Sequence, residues 1–99
     1  MALTRDFKLT IKARADHDPE FRRALVQEAI ECFLNNDVET GKALVRNYIN
    51  ATVGFEALGK ELNTPAKSLM RMFGPRGNPN ARSLFPVIAR IRQREQIAA

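Results

Sequence analysis

Apolar residues along the chain recur at intervals of three and four positions, and no segment alternates with a period of two over a useful length. The first spacing is typical of amphipathic α-helices and the second of half-buried strands. The pattern therefore predicts an all-α fold, a compact bundle of five to six helices. The predicted helices cover about residues 4–15, 19–34, 37–51, 55–62 and 65–73, and a sixth follows a cap at residue 80.

Residues that favour helix ends separate these segments. Asp18 can cap the second helix, and Pro19 suits its first position because the missing N–H is harmless there. Asn36, with Glu39 three residues later, forms a capping-box-like start for the third helix. Gly54 can serve as the N-cap of the fourth. These ends agree with the hydrophobic periodicity and support the same helices.

The length of 99 residues corresponds to one domain, and we predict a single helical domain over residues 1–99 that contains a helix-turn-helix core at 54–92. The apolar stripe of the first helix is thin, which leaves open whether residues 1–17 pack on the core or form a loosely packed N-terminal helix. At this size folding buries only roughly 60 to 65% of the surface of the unfolded chain. We therefore expect a homodimer to supplement the core.

The segment Leu58–Phe73 has the spacing of a helix-turn-helix, in which two short helices meet at a tight turn. Asn63 tolerates left-handed geometry and can end the first helix. Thr64 is expected to cap the second helix, with Pro65 at its first position. Gly59 is expected where the two helices cross too closely for a larger side chain. The second helix of such a unit can fit a DNA major groove.

Positive charge is concentrated in the second half of the chain. Residues 1–50 hold eight basic and eight acidic side chains, whereas residues 51–99 hold eight basic and three acidic, which accounts for the net charge of +5. No acid occurs between Leu62 and Arg94. Clustered cations attract polyanions and gain free energy by releasing counterions from phosphate backbones. The alternative is a solvated basic face without a partner.

Six residues around the second helix of this unit are candidate DNA contacts: Thr64, Lys67, Ser68, Arg71, Arg76 and Asn78. The start of the helix, at Thr64, presents free amide donors and the positive end of the helix dipole. Lys67, Ser68 and Arg71 point outward on the predicted helix, and Arg71 can bind a guanine through two hydrogen bonds. Arg76, Asn78 and amides of the glycine-rich loop would hold the flanking phosphates.

These candidates also have simpler explanations. Lys67 and Arg71 could serve only the solubility of the helix, and Asn78 could serve only to shape a turn. Pro65 and Ala66 stand where helix-turn-helix proteins commonly carry polar residues that contact bases. Direct base contacts are therefore expected to be sparse, so that specificity is either low or depends on dimer spacing and DNA shape.

The sequence offers little for catalysis or metal binding. His17 stands between two aspartates at a helix boundary and is expected to be a solvated loop residue, whereas Cys32 falls on the buried stripe of the second helix. One cysteine and one histidine are too few for a zinc site. We expect no enzyme activity, no catalytic residue, no metal and no cofactor. Met70 and Met72 are expected to fill the core and the groove beside it.

The N-terminal sequence and the hydropathy of the chain bear on its location. No apolar run approaches the roughly 20 residues that a bilayer-spanning helix needs. Residues 1–8 lack the apolar core of a signal peptide. We therefore expect a cytoplasmic protein with no membrane partner.

Three segments carry a family resemblance: Tyr48–Leu58, Lys67–Phe73, and Gly77-Asn78-Pro79 ahead of Leu84. Together with the order of helices, they resemble the probable addiction-module antidote proteins, a family of HigA-like antitoxins with an XRE-type helix-turn-helix. The resemblance covers roughly residues 20–92. It implies a lambda-repressor-like helix-turn-helix, a transcriptional regulator that binds operator DNA, and a partner toxin of the RelE or HigB type in a type II toxin–antitoxin module.

A protein-interaction module is the alternative function. In that case the helix-turn-helix would be only a scaffold, and the first three helices would bind a partner without specific DNA binding. Pro65-Ala66 and the neutral first half of the chain favour this alternative, whereas the basic second half favours double-stranded DNA.

Overall fold

Every regular element in the described part of the chain is an α-helix. The computed structural model describes residues 5–97, with side chains from Thr10 onward. Its helices are α1 (Arg5–His17), α2 (Pro19–Leu34), α3 (Val38–Ala51), α4 (Phe55–Leu62), α5 (Ala66–Met72) and α6 (Ala81–Arg94). The predicted all-α class is confirmed for these residues. The predicted start of the first helix, at residue 4, lies outside the described residues.

Three polar residues lie at helix ends as the sequence predicts. The Asp18 carboxylate caps α2 by accepting a hydrogen bond from the Phe21 amide at 3.1 Å. This hydrogen bond lowers the pKa of the Asp18 carboxyl below its usual value. Asn63 ends α4 in the left-handed conformation, with φ 54°. Asn80 caps α6, its side-chain oxygen accepting from the Ser83 amide at 2.9 Å.

The predicted cap of α3 is wrong by one residue. Asp37 is the N-cap in place of Asn36, and its carboxylate accepts from the Thr40 amide at 3.3 Å. Asn36 adopts a left-handed conformation, with φ 64°, just after α2. Asparagine tolerates that conformation better than most residues do. Asn36 thus forms the left-handed turn after α2, and Asp37 caps α3. Gly54 is the N-cap of α4, as predicted.

The start of α5 also differs from the prediction. Pro65 is the N-cap rather than the first helical residue, and no side chain caps the helix. Thr64 therefore does not cap α5; its hydroxyl donates to the Leu62 carbonyl at 3.2 Å. Proline disfavours helical geometry in the residue before it. The turn therefore occupies residues 63–65, and α5 begins at Ala66.

Packing brings all six helices into one body. The pair α2 and α3 forms the centre, α1 packs on both, α6 contacts α2, and α4 contacts α3 and α5. Ala15, near the end of α1, is only 1% exposed, so this helix packs on the rest of the fold. The largest apolar cluster draws residues from α2 to α6: Val26, Ala29, Val45, Tyr48, Ile49, Phe55, Leu58, Leu69, Phe73, Leu84, Val87 and Ile91.

Phe85 lies outside the buried side of α6. Leu84, Val87 and Ile91 are buried, but Phe85 is 63% exposed. Each residue of a helix is turned about 100° from the one before it, which carries Phe85 away from the buried side that Leu84 faces. The outer side of α6 therefore carries a large apolar side chain that the core does not cover. Cys32, on α2, is buried, as predicted.

A buried polar cluster joins four parts of the fold. The Tyr48 hydroxyl, on α3, donates to Oε2 of Glu95, the residue that follows α6. Arg22, on α2, donates from Nε to Oε1 of Glu95 at 3.1 Å and from Nη1 to the Ala15 carbonyl at the end of α1. Burial, and then the Glu95 carboxylate, raise the pKa of the Tyr48 phenol well above its usual range. The sequence pattern does not predict this cluster.

Replacing Tyr48 with phenylalanine tests the cluster. We expect Tyr48→Phe to lower the free energy of unfolding at pH 7 by about 1.5 to 3 kcal/mol, because a buried hydrogen bond to a charged group is lost. The phenol pKa is raised in the folded protein, so its contribution is complete below about pH 10 and is lost as the pH rises further. Urea unfolding between pH 7 and pH 11 measures both effects.

Tyr48→Phe also serves as the control for the pH effect, because it lacks the phenol that titrates in the wild type. The chain has one tyrosine and no tryptophan, so tyrosinate absorbance reports on Tyr48 alone. An equal loss of stability above pH 10 in the wild type and in Tyr48→Phe would contradict the assignment.

Candidate nucleic-acid interface

The helices α4 and α5 form a pair joined by the three residues 63–65. The Thr64 amide donates to the Gly59 carbonyl at 2.9 Å, which closes the turn. A Cβ atom on Gly59 would lie 2.6 Å from the Thr64 carbonyl oxygen and 3.3 Å from the Ala66 nitrogen. Only glycine fits at that distance from the backbone, so the predicted close crossing at Gly59 is confirmed.

The helix α5 has one buried and one exposed side. Leu69 is 1% exposed and Phe73, just after the helix, is fully buried. Four exposed side chains project from the rest of the helix: Lys67, Ser68, Met70 and Arg71. Met70 is 53% exposed, so the prediction that it fills core and groove is wrong. Met72 is half-buried against the core, in agreement with its prediction.

A groove runs between α5, the loop 73–80 and the first turn of α6. Its volume is about 340 Å³. The lining residues are Ser68, Arg71, Met72, Arg76, Gly77, Asn78, Pro79, Asn80 and Ser83. Four of the six predicted contact residues thus lie together, and no acidic side chain lines the groove. The first turn of α6 adds the positive end of its dipole.

The other two predicted residues lie elsewhere. Thr64 lines a separate groove of about 480 Å³ with Glu56, Lys60 and neighbouring residues of the turn. Lys67 lines neither groove. It lies four residues before Arg71 and therefore on the same side of α5. The structure thus groups Ser68, Arg71, Arg76 and Asn78, places Lys67 beside them, and leaves Thr64 apart.

Ion pairs divide the basic side chains of the second half into two groups. Arg90 and Arg94 both pair with Glu61, at 2.7 and 3.3 Å. Among the side chains described from residue 10 to residue 97, no acidic partner is found for Lys67, Arg71 or Arg76. Positive charge without an ion pair among the described side chains therefore includes α5 and the loop that follows it, together with Lys60, Arg82 and Arg92.

Two basic residues of α3 lie beneath the loop, and the sequence analysis missed both. Lys42 is 1% exposed, and its Nζ donates to the carbonyls of Gly74 at 3.1 Å and Gly77 at 2.7 Å. Arg46 donates from Nη1 to the Phe73 carbonyl at 2.7 Å. One signal was present: Lys42 lies on the apolar stripe of α3, four residues after Val38 and three before Val45.

Gly77 lets the loop fold back over the end of α5. A Cβ atom there would lie 2.2 Å from the Met72 carbonyl oxygen and 2.3 Å from that of Arg71. Asn78, the next residue, is exposed, and its side chain forms no hydrogen bond to any described residue. Its amide is therefore available to a ligand.

Comparisons with models of protein families, with curated proteins and with solved structures find no match to this chain. Within residues 5–97, no group of three or more His, Cys, Asp or Glu side chains is placed to hold a metal ion. None of the helices in the same range combines the length and apolar character that crossing a bilayer requires.

Gly59→Ala tests the crossing of α4 and α5. We expect the free energy of unfolding to fall, because strain of about 1 to 3 kcal/mol from overpacking exceeds the gain of up to about 1 kcal/mol in helix propensity. The matched control is Gly41→Ala, where the new Cβ would meet the Phe33 ring at 2.9 Å. A ring can move where backbone cannot, so the control should lose less. Urea unfolding that ranks the two variants in the opposite order would contradict the close crossing.

Proposed function

We propose that this chain is a transcriptional regulator that binds double-stranded DNA through α5 and the loop 73–80. The observation that carries the proposal is the group of unpaired cations on one side of a short helix pair. Phosphate backbones are the polyanions that such a surface attracts most strongly. The close crossing at Gly59 supports the same proposal, since two short helices joined by a tight turn are what a helix-turn-helix requires.

In the proposed complex α5 enters the major groove. Lys67 and Arg71, which share its outer side, reach base edges, and Arg71 can grip a guanine through two hydrogen bonds. Ser68, Arg76 and Asn78 contact the adjacent sugar–phosphate backbone. Thr64 lies just before the start of α5 and is proposed to contact the DNA there, apart from the other candidates. The side chains of Pro65 and Ala66 have no hydrogen-bonding groups. Few bases are therefore contacted directly in the proposed complex.

A homodimer on α6 completes this proposal. Phe85, Pro86 and Ala89 are exposed on that helix, and a groove of about 600 Å³ with Leu62 and Ile97 in its lining lies beside them. The protein measures about 31 × 31 × 30 Å. Two copies of that size side by side can place their α5 helices about 34 Å apart, which is one turn of DNA. Binding to two half-sites would compensate for the small number of direct base contacts that each α5 makes.

The antitoxin role is a further part of the proposal and rests on the family resemblance. We infer a type II toxin–antitoxin module in which this chain binds a toxin of the RelE or HigB type and acts in the cytoplasm. Expression of the adjacent gene with and without this chain tests it. A neighbour that is harmless alone, or toxic in both cases, would refute the role.

The alternative is a protein-interaction module without specific DNA binding. The apolar start of α5 at Pro65 and Ala66 is the observation that favours it. A gel shift on the upstream region of the gene at several salt concentrations distinguishes the two. A pure interaction module would retard that DNA no more than any basic protein does.

Two arginine variants separate base contacts from phosphate contacts. Arg71→Ala is expected to cost about 1 to 3 kcal/mol of binding free energy and to relax specificity at one base position. Arg76→Ala is expected to weaken binding to all sequences alike and to reduce the salt slope by about one. Fluorescence anisotropy with matched and scrambled duplexes at several salt concentrations measures both.

Lys12→Ala is the charge-matched control, because Lys12 pairs with Asp16 on α1. It should leave the affinity and the salt slope close to those of the wild type. If both arginine variants bind as the wild type does, α5 and its loop are not the DNA-binding surface.

Phe85→Glu tests the dimer. A carboxylate in place of the exposed apolar Phe85 ring should shift sedimentation from dimer to monomer and weaken binding to a duplex with two half-sites more than to one with a single half-site. Leu34→Glu is the control, because Leu34 is 75% exposed at the end of α2 and does not line the groove beside α6. Dimer dissociation by the control alone would locate the interface elsewhere.

A further inference from the structure

The least expected residue of the fold is Lys42, a lysine that is 1% exposed. A buried ammonium group is costly unless it is paired and hydrogen-bonded. Its ammonium group donates hydrogen bonds to the Gly74 carbonyl at 3.1 Å and the Gly77 carbonyl at 2.7 Å, and it forms an ion pair with Oε2 of Glu39 at 3.1 Å. The buried charge is therefore paired, and both of its hydrogen bonds go to one loop.

Those two carbonyls mark the ends of a tight turn. The Gly77 amide donates to the Gly74 carbonyl at 3.0 Å, which closes a four-residue turn with Pro75 and Arg76 in its middle. Lys42 binds both end carbonyls, and Arg46 binds the carbonyl of Phe73 just before them. The segment 73–77 is thus fastened to α3 at three backbone positions.

We infer that Lys42 is a positioning residue for DNA binding, which holds the turn 74–77 so that Arg76 faces the phosphate backbone. The inference rests on the proposed function. Lys42 is buried and cannot touch DNA itself. It acts by fixing the turn before the complex forms, so that little conformational entropy is lost on binding. Arg46 supports the same turn from the neighbouring turn of α3.

The inference predicts a coupling between Lys42 and Arg76. Lys42→Met keeps an unbranched apolar stem of four atoms but removes the ammonium group and its three donors. It should weaken DNA binding by about tenfold and reduce the salt slope by about one, as Arg76→Ala does. In the Lys42→Met background, Arg76→Ala should then have little further effect, because residues that act through one another are not additive.

A destabilised fold alone would give a different result. Tyr48→Phe is the control, because it also removes a buried hydrogen bond from α3 but at the Glu95 end. At a temperature where every variant is folded, it should leave the affinity and the salt slope unchanged. Hydrogen exchange of the Gly77 amide should accelerate in Lys42→Met and stay unchanged in Tyr48→Phe.

The test uses the full chain and a duplex selected from a random-sequence library by the wild-type protein. If Arg76→Ala leaves affinity and salt slope unchanged, the DNA-binding role of the loop is refuted, and with it the positioning role. If Arg76→Ala acts as expected but the two substitutions are additive, or the Gly77 amide exchanges at the wild-type rate in Lys42→Met, only the inference about Lys42 is overturned. If Lys42→Met does not fold, Arg46→Met replaces it, with the same expected coupling and the same outcome against it.

Discussion

The bonds from Lys42 to the carbonyls of Gly74 and Gly77 are the interaction on which the candidate interface depends. Without them the loop after α5 would keep only its own short turn and the bond from Arg46 to the Phe73 carbonyl. The same helix, α3, carries Tyr48 two turns further on, where a second buried polar cluster gathers α1, α2 and the end of α6. The central helix α3 thus makes buried polar contacts in two places, with the loop after α5 and with Glu95 at the end of α6.

Sequence pattern predicts the helices well because each depends on local chemistry. A carboxylate or amide beside a helix start caps it whatever surrounds it, as Asp18 and Asn80 do. The prediction fails where two neighbours are chemically equivalent, since Asn36 and Asp37 can each cap a helix and only the path of the turn chooses between them. The exposure of Phe85 could not be predicted either, because periodicity describes a helix and not what covers it.

The candidate site could be predicted only in part, and the reason is electrostatic. Composition locates the basic half of the chain but cannot say which cations are already neutralised. Glu61 forms ion pairs with Arg90 and Arg94, which lie 29 and 33 residues further along the chain. Only the fold reveals these pairs. Lys42 is the opposite case, a cation that the fold withdraws from solvent altogether. The sequence therefore indicates which side chains around α5 are exposed, apart from the half-buried Thr64, while their grouping depends on tertiary contacts.

The pairing of Glu61 has a consequence for how the molecule approaches a polyanion. Glu61 offsets one of the two positive charges of Arg90 and Arg94, whereas Arg71 and Arg76 have no ion pair among the described side chains, so the positive charge is unevenly distributed. A lopsided charge distribution experiences a torque in the field of a charged rod, so the molecule is turned before contact. Screening limits this guidance to about 8 Å at physiological ionic strength. Over that last distance, a carboxylate of α4 that contacts no residue of the candidate interface helps decide which side of the protein arrives first.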